Sequence, residues 1–232
     1  MHHTFLIHYG ELGLKGKNRK DFENRLLKNI TDKLRRKGLD VPMTMQHRYL
    51  TIELPDEKHI PTVCDLLSKT FGISWFAIAE TLPRDTDQKK ISAEVLTLAK
   101  THAAPEITFR ISAKRADKSF PLTSGELERA IGAEVLQKTK HSSVNLSAPD
   151  HTYFIEINHS HIFIFDRRLS GPGGLPIGSS GKALALLSGG FDSPVAAYLM
   201  AKRGCTIDFL NFFVNEPGKT DKVPRLASKL SK

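Results

Sequence analysis

The sequence predicts an α+β front followed by the opening stretch of an α/β domain that is truncated. Three observations predict it. The first 79 residues alternate strand and helix patterns in a mixed order, and the next stretch, 80–170, does so in another. A glycine- and proline-rich segment, 171–181, then leads into a single β-α-β pattern over 182–232, where the 232-residue chain stops.

In the first region, 1–79, Thr4 to His8 reads as a short strand. Gly10-Glu11-Leu12-Gly13-Leu14-Lys15-Gly16-Lys17 reads as a glycine-punctuated loop. A helix follows, because Phe22, Leu26, Leu27, Ile30 and Leu34 recur on one face. Gly38 ends it, as glycine does at a C′ position. Met43 to Leu54 alternates like strand material, Ile60 to Leu67 is a short helix, and Ile73 to Ala79 is another strand. The order β-α-β-β-α-β is that of a ferredoxin-like domain.

In the second region, 80–170, Ile91, Val95, Leu96 and Leu98 mark a helix, and Glu106 to Ile111 a strand. Glu126 to Lys138 is a helix striped by Leu127, Ile131 and Val135, with Thr123 or Ser124 as its N-cap. Val144 to Ser147, Tyr153 to Asn158 and Ile162 to Arg167 read as strands, with His159-Ser160 as the turn between the last two. The segment 171–181 holds five glycines and two prolines in eleven residues, which suits a loop or linker and excludes helix and central strand. Beyond it come strand Ala183 to Leu187, helix Pro194 to Arg203, strand Thr206 to Phe213 and a tail helix from Thr220, one β-α-β unit of a doubly wound sheet.

The hydrophobic share of 40% and charged share of 25% exclude a disordered chain. A net charge of +9 suggests an anionic partner, nucleic acid first. Two distant cysteines, Cys64 and Cys205, form no disulfide framework, which fits a reducing compartment. Phe5-Leu6-Ile7 is too short for a signal peptide, and no stretch reaches the length of a membrane span. A cytoplasmic location with no membrane partner is the expectation.

Leu187-Ser188-Gly189-Gly190-Phe191-Asp192-Ser193-Pro194 carries the sharpest chemical signal. An apolar strand feeds a Ser-Gly-Gly loop, which feeds a helix with Pro194 at its first position and Ser193 as its cap. The helix start offers free amides and a positive dipole end to an anion. Gly189 and Gly190 let the backbone approach closely and take positive φ, and Ser188 and Ser193 add hydroxyls. Asp192 cannot attract phosphate by charge; it suits Mg²⁺ or N–H groups. A plain tight turn of an α/β domain remains open on the glycines alone. The loop has neither the lysine of a Walker A motif nor G-x-G-x-x-G.

The pattern S-G-G-x-D-S resembles the PP-loop of ATP-pyrophosphatases, which cleave ATP between the α- and β-phosphates and adenylate a substrate. The likeness widens on both sides. Gly171 to Lys182 is similar to the G-P-G-G-L-P-x-G-x-S-G-K linker of tRNA 4-thiouridine synthetases, also called tRNA sulfurtransferases. The stretch from Phe109-Arg110-Ile111-Ser112-Ala113-Lys114-Arg115 to Glu126 resembles a THUMP domain. Tyr9 to Gly16 resembles the ferredoxin-like domain that precedes THUMP in that family. The resemblance implies ATP and Mg²⁺ as cofactors, tRNA and a sulfur-donating cysteine desulfurase as partners, formation of 4-thiouridine, and a link to thiamine thiazole synthesis. It implies a role in catalysis for Asp192, and nucleotide contacts for Leu186, Leu187, Ser188, Gly189, Gly190 and Ser193. Asn211 and Phe212 match a His-Phe pair near adenine, and Asn211 departs from that histidine, as Phe191 departs from a more usual aliphatic residue.

The family's sulfur-handling cysteines have no match here: Cys64 lies in an apolar helical stretch and Cys205 opens a buried strand, so both read as packed thiols. A natural short form, a frameshifted gene and an excised piece all fit a chain that stops so early. A module that holds tRNA without catalysis is therefore the alternative function.

Residues 15–37 hold ten Lys/Arg against three acids, a local excess of +7. Within it Lys15, Lys17, Arg19 and Lys20 are candidate phosphate contacts. Arg110, Lys114, Arg115 and Lys118 join them through the THUMP likeness. The ten histidines show no metal spacing, so no protein-ligated structural metal is predicted. Phe71, Trp75 and Phe76 read as core. Strand edges left bare in the short third region make a homodimer an expectation.

Overall fold

The protein is described by a computed structural model covering residues 3–14, 16–46, 48–212 and 222–231. The front contains β1 (His3–Tyr9), α1 (Arg19–Arg35), β2 (Met43–Gln46), β3 (Tyr49–Leu54), α2 (Ile60–Ser68) and β4 (Ile73–Pro83). Then come α3 (Gln88–Lys100), β5 (Thr108–Arg115), α4 (Ser124–Lys138), β6 (Ser143–Val144), β7 (His151–Ile157), β8 (His161–Phe165) and β9 (Leu169–Ser170). The last are β10 (Lys182–Leu186), α5 (Asp192–Lys202), β11 (Thr206–Leu210) and α6 (Lys222–Leu230). Phe213, Thr220 and Asp221, expected in the final strand and tail helix, lie outside the described residues.

The chain divides into two compact units, Met1–Leu6 with Ala77–Arg168, and Ile7–Phe76 with Leu169–Lys232. In the first, strands run β4-β8-β7-β5-β6. β7 is antiparallel to β8 and parallel to β5, which sets Lys114 opposite Glu156 and Arg110 opposite Thr152. One face of this sheet carries Phe109, Ile111, Tyr153, Ile155, Ile162 and Ile164 into a core shared with Ile91 and Val95 of α3 and Leu127, Ile131 and Val135 of α4. Each fully buried side chain of this size contributes about 1.5–3 kcal/mol relative to exposure. The cap of α4 is a complete capping box: the Thr123 hydroxyl accepts the Glu126 N–H at 3.3 Å, and the Glu126 carboxylate accepts the Thr123 N–H at 2.7 Å.

In the second unit the order is β2-β3-β1-β4, with β9 antiparallel on β4. The apolar stripe of α1 buries Leu26, Ile30 and Leu34, while Lys20, Arg25, Lys28 and Arg35 stay exposed and Arg19 and Lys33 are half-buried. Gly38 sits at φ +74°, past the Arg36 cap and one position beyond the expected C′ site. The stretch expected as a glycine loop after β1 is two 3-10 turns, Glu11–Leu14 and Gly16–Asn18, with Leu12 buried. β2 and β3 pair antiparallel up to Gln46 and Tyr49, and Arg48, just before β3, takes φ +80°. Its backbone N–H donates to the Tyr9 hydroxyl at 2.9 Å, which holds the unfavourable conformation in place.

The glycine-proline segment has no helix or strand, as its composition predicts, yet both its sides are tied down. Gly173 N–H donates to Ile73 O at 2.8 Å and Gly72 N–H to Gly173 O at 2.9 Å. Further along, Leu175 N–H donates to Lys202 O at 2.9 Å and Gly178 N–H to Gly204 O at 2.8 Å. Asn29 of α1 donates to Ile177 O at 3.0 Å, and Arg203 pairs with Glu11 at 3.0 Å. Two close approaches require glycine: a Cβ at Gly171 would meet Ile73 O at 2.4 Å, and one at Gly174, where φ is +76°, would meet Lys202 O at 2.2 Å. These contacts seat the β10-α5-β11 unit. Its two strands pair in parallel, Leu186 with Leu210.

Candidate phosphate-binding loop and basic surfaces

The loop between β10 and α5 is set by backbone bonds on the strand side. Leu187, 2% exposed, donates its N–H to Leu210 O at 2.8 Å and accepts the Asn211 side-chain amide at 2.7 Å. Asn211 therefore ties the end of β11 to the end of β10, a structural duty that its sequence position did not reveal. Beyond Leu187 the chain turns, and Ser188 and Ser193 close the turn on each other. Ser188 N–H donates to Ser193 Oγ at 2.8 Å, the two hydroxyls lie 2.9 Å apart, and Gly190 N–H donates to Ser188 Oγ at 3.3 Å.

Two expectations are corrected here. Ser193 is not the N-cap of α5: the helix starts at Asp192 with Phe191 in the cap position, so Ser193 and Pro194 lie inside the first turn. Phe191 makes no side-chain capping bond, which leaves the first-turn amides open to an outside acceptor. Nor do Gly189 and Gly190 take positive φ; both lie outside the left-handed set, which includes Gly173, Gly174 and Gly204. Their service is the missing side chain. A Cβ at Gly190 would meet Ser188 Oγ at 3.4 Å, and one at Gly189 would lie 3.7 Å from Lys222 Cδ.

Asp192 is exposed and makes no hydrogen bond or ion pair with any described residue. At the first position of α5 its charge favours the helix dipole, and its oxygens remain available to a hard cation. Among the described residues no group of three or more His, Cys, Asp or Glu side chains could hold a metal alone. A divalent ion here would lean on Asp192 and on ligand oxygens or water. Leu186 is 60% exposed and Phe212 79% exposed, so β10 and β11 end on uncovered apolar side chains. β11 is half-exposed where a buried strand was expected, with Leu210 also at the surface.

The basic candidates fall into two groups. Lys20, Lys114 and Lys118 are exposed and unpaired among the described residues. Arg19, Arg110 and Arg115 are engaged. Arg19 Nε donates to Glu23 at 2.6 Å, in a cluster where the Tyr9 hydroxyl donates to the same carboxylate oxygen. Burial, then that carboxylate, pushes the Tyr9 phenol up. Arg110 donates to Thr152 Oγ1 at 3.2 Å and Leu146 O at 3.1 Å, and Arg115 to Phe120 O at 3.0 Å. Lys15 lies outside the described residues, as does the side chain of Lys17.

Lys118 rides on a braced turn. Asp117 accepts from the Ser119 hydroxyl and N–H and pairs with Arg84 at 2.7 Å, and these bonds hold its carboxyl well below the usual range. Cys205 is buried and Cys64 half-buried, with burial pushing the Cys64 thiol up. Phe76 is buried, while Trp75 stacks on His8 at 4.1 Å and is only partly covered. No helix of the described residues is long and apolar enough to cross a membrane.

Comparison with known proteins places these features in a family. Residues 4–77 match the ThiI ferredoxin-like domain, 85–166 the THUMP domain, and 178–232 the thiamine biosynthesis protein (ThiI) family. A probable tRNA sulfurtransferase of Staphylococcus aureus (strain MRSA252) is 41% identical over 208 residues, covering 89% of this chain and 50% of that protein. Its counterpart from Mycoplasmopsis synoviae (strain 53) is 39% identical over 236 residues, covering 100% of this chain and 58% of that protein. The chain thus spans about half the length of the curated relatives it matches. Among solved structures, PH1313 from Pyrococcus horikoshii Ot3 superposes with a TM-score of 0.84 at 27% identity, over 98% of this chain and 74% of that one. A 4-thiouridine synthetase in complex with RNA and ATP gives 0.78 at 31% identity, over 99% and 57%.

Proposed function

The chain belongs to the tRNA sulfurtransferase family, with its ferredoxin-like, THUMP and PP-loop segments in order, and from that premise we propose that it is the tRNA-holding and phosphate-holding portion of an ATP-dependent enzyme that makes 4-thiouridine. The observation that carries the reading is the Ser188–Ser193 clasp, which holds a side-chain-free Gly-Gly turn beside the uncapped start of α5. The RNA and ATP bound by the related 4-thiouridine synthetase support it.

In the complete reaction a uridine carbonyl oxygen attacks the α-phosphorus of ATP, and the bond to the bridging oxygen breaks to release pyrophosphate. The adenylated oxygen then leaves as AMP when the terminal sulfur of a cysteine persulfide, loaded by a cysteine desulfurase, bonds to the same carbon, and a second cysteine thiol breaks the S–S bond to that sulfur, leaving a disulfide on the carrier. The residues of this chain act on the first step. The α5 amides and the two serine hydroxyls face the charge that develops on departing pyrophosphate, fixed in place before reaction. Mg²⁺ when bound would neutralise phosphate charge, with Asp192 as its protein ligand. Lys20, Lys114 and Lys118, exposed and unpaired among the described residues, supply phosphate contacts to tRNA.

A second reading is favoured by the exposure of Leu186 and Phe212. On this reading these 232 residues hold tRNA and phosphate, while among the described residues only the exposed ends of β10 and β11 offer adenine a wall, and MgATP binds weakly or not at all to this chain. A homodimer would cover the exposed ends of β10 and β11.

The test uses the chain extended to the length of its relatives. Asp192→Ala abolishes tRNA-dependent pyrophosphate release and leaves tRNA affinity intact. Undiminished pyrophosphate release in that variant removes Asp192 from the reaction. Absence of tRNA binding by the wild-type protein removes the reading as a whole.

A further inference from the structure

We propose that Lys222 is the cation of the pyrophosphate cradle, a charge that the loop itself does not contain; the inference rests on the phosphate-holding role given to that loop. From Leu187 to Pro194 the only ionised side chain is Asp192, and its sign is wrong for phosphate. Hydroxyls and amides supply dipoles, but pyrophosphate leaving an adenylate carries several formal negative charges, which dipoles alone answer poorly.

Lys222 opens α6, distant in sequence, and the fold returns it to the loop. Its Cδ lies 3.7 Å from the point a Gly189 Cβ would occupy, in ordinary van der Waals contact range. Its ammonium is 5.8 Å from the centre of the Phe191 ring. The stem therefore runs along Gly189 and the head reaches toward Phe191, on either side of Gly190. At 5.8 Å the ring holds the ammonium only weakly, and no described carboxylate pairs with it. A lysine stem laid on one of the two loop positions without a side chain, with no described carboxylate paired to its charge, suits an anion in the same turn. Lysine is a compact point charge on a flexible stem, and it can follow pyrophosphate as the bond to the α-phosphorus lengthens.

The probe is inorganic pyrophosphate, titrated calorimetrically into the 232-residue chain and into Lys222→Ala, Lys222→Gln, Lys222→Arg and Ser188→Ala variants, with tRNA affinity measured alongside. Lys222→Ala and Lys222→Gln are expected to weaken pyrophosphate binding by about tenfold, the scale of one charge-assisted bond. Lys222→Arg retains most of it, and tRNA affinity is unchanged throughout. The glutamine variant preserves the stem, so a loss shared by both variants with unchanged circular dichroism belongs to the charge. Wild-type binding in Lys222→Gln, with binding lost in Ser188→Ala, overturns the role of Lys222 and leaves the loop standing. Absence of pyrophosphate binding by the wild-type chain overturns both.

Discussion

Ser193 Oγ accepts the backbone N–H of Ser188 at 2.8 Å while the two hydroxyls lie 2.9 Å apart, so the loop between β10 and α5 is clasped by its own ends. The clasp does two things. It satisfies an N–H that would otherwise point into the turn, and it holds the Gly189-Gly190 backbone open at the start of a helix with no side-chain cap. Ser193→Ala removes the acceptor and is expected to cost about 1 kcal/mol of stability, read from the urea midpoint. Pyrophosphate affinity should fall further than stability does. Unchanged affinity would mean that the clasp is only a turn.

Binding of tRNA is expected to be steeply salt-dependent, since phosphate contacts release counterions. Lys114→Ala and Lys118→Ala should each weaken it at constant thermal midpoint, because neither lysine is paired among the described residues. Arg110→Ala is the contrast: its guanidinium bonds Thr152 and the Leu146 carbonyl, so about 1 kcal/mol of stability goes with it. Filter binding at two salt concentrations, with melting curves, separates the two classes. Equal affinity at low and high salt would remove the electrostatic account.

Gly174→Ala should be severe and Gly173→Ala mild. Both residues have positive φ, but a Cβ at Gly174 would meet Lys202 O at 2.2 Å, whereas one at Gly173 has open space. The expected losses are about 3 kcal/mol where the clash adds to strain and about 1 kcal/mol for strain alone. Urea denaturation orders them, and equal losses would show that the 171–181 segment can lift off β4 and α5 freely.

Stability should fall between pH 7 and pH 5 through His141. Burial, then the neighbouring His151 and His102, hold its folded pKa below the ordinary histidine value. Its ring nitrogens lie 2.8 Å from the Thr139 hydroxyl and 3.1 Å from the Tyr153 hydroxyl. A lowered folded pKa means that the unfolded chain takes up the proton first. Stability is therefore full above the unfolded value near 6.5 and is lost as pH falls toward the folded one. His141→Gln should flatten that part of the denaturation profile; an unaltered slope would assign it to other groups.

Elements whose reasons are local were legible in the sequence. The Leu26-Ile30-Leu34 stripe, a cap at Thr123 or Ser124 and the alternation of β3 each depend on neighbours a few residues away; the stripe and the alternation are found, and of the two cap candidates it is Thr123 that caps. S-G-G-F-D-S was legible for the same reason, since a strand, a turn and a helix start are contiguous in sequence. The tertiary structure decided what depends on partners far along the chain. Helix α5 starts at Asp192, ahead of the position that Ser193 and Pro194 suggested, because Ser193 Oγ is engaged by Ser188 and cannot cap. A segment legible only as irregular is pinned by carbonyls of Ile73 and Lys202. Among basic residues of one composition, Glu23, Thr152 and Phe120 engage Arg19, Arg110 and Arg115, leaving Lys20, Lys114 and Lys118 to solvent. Lys222 reaches Gly189 only because the chain returns there. Periodicity and turn chemistry operate over one or two turns of chain, whereas the commitment of a charge is set by whichever distant group the fold brings within a few ångströms of it.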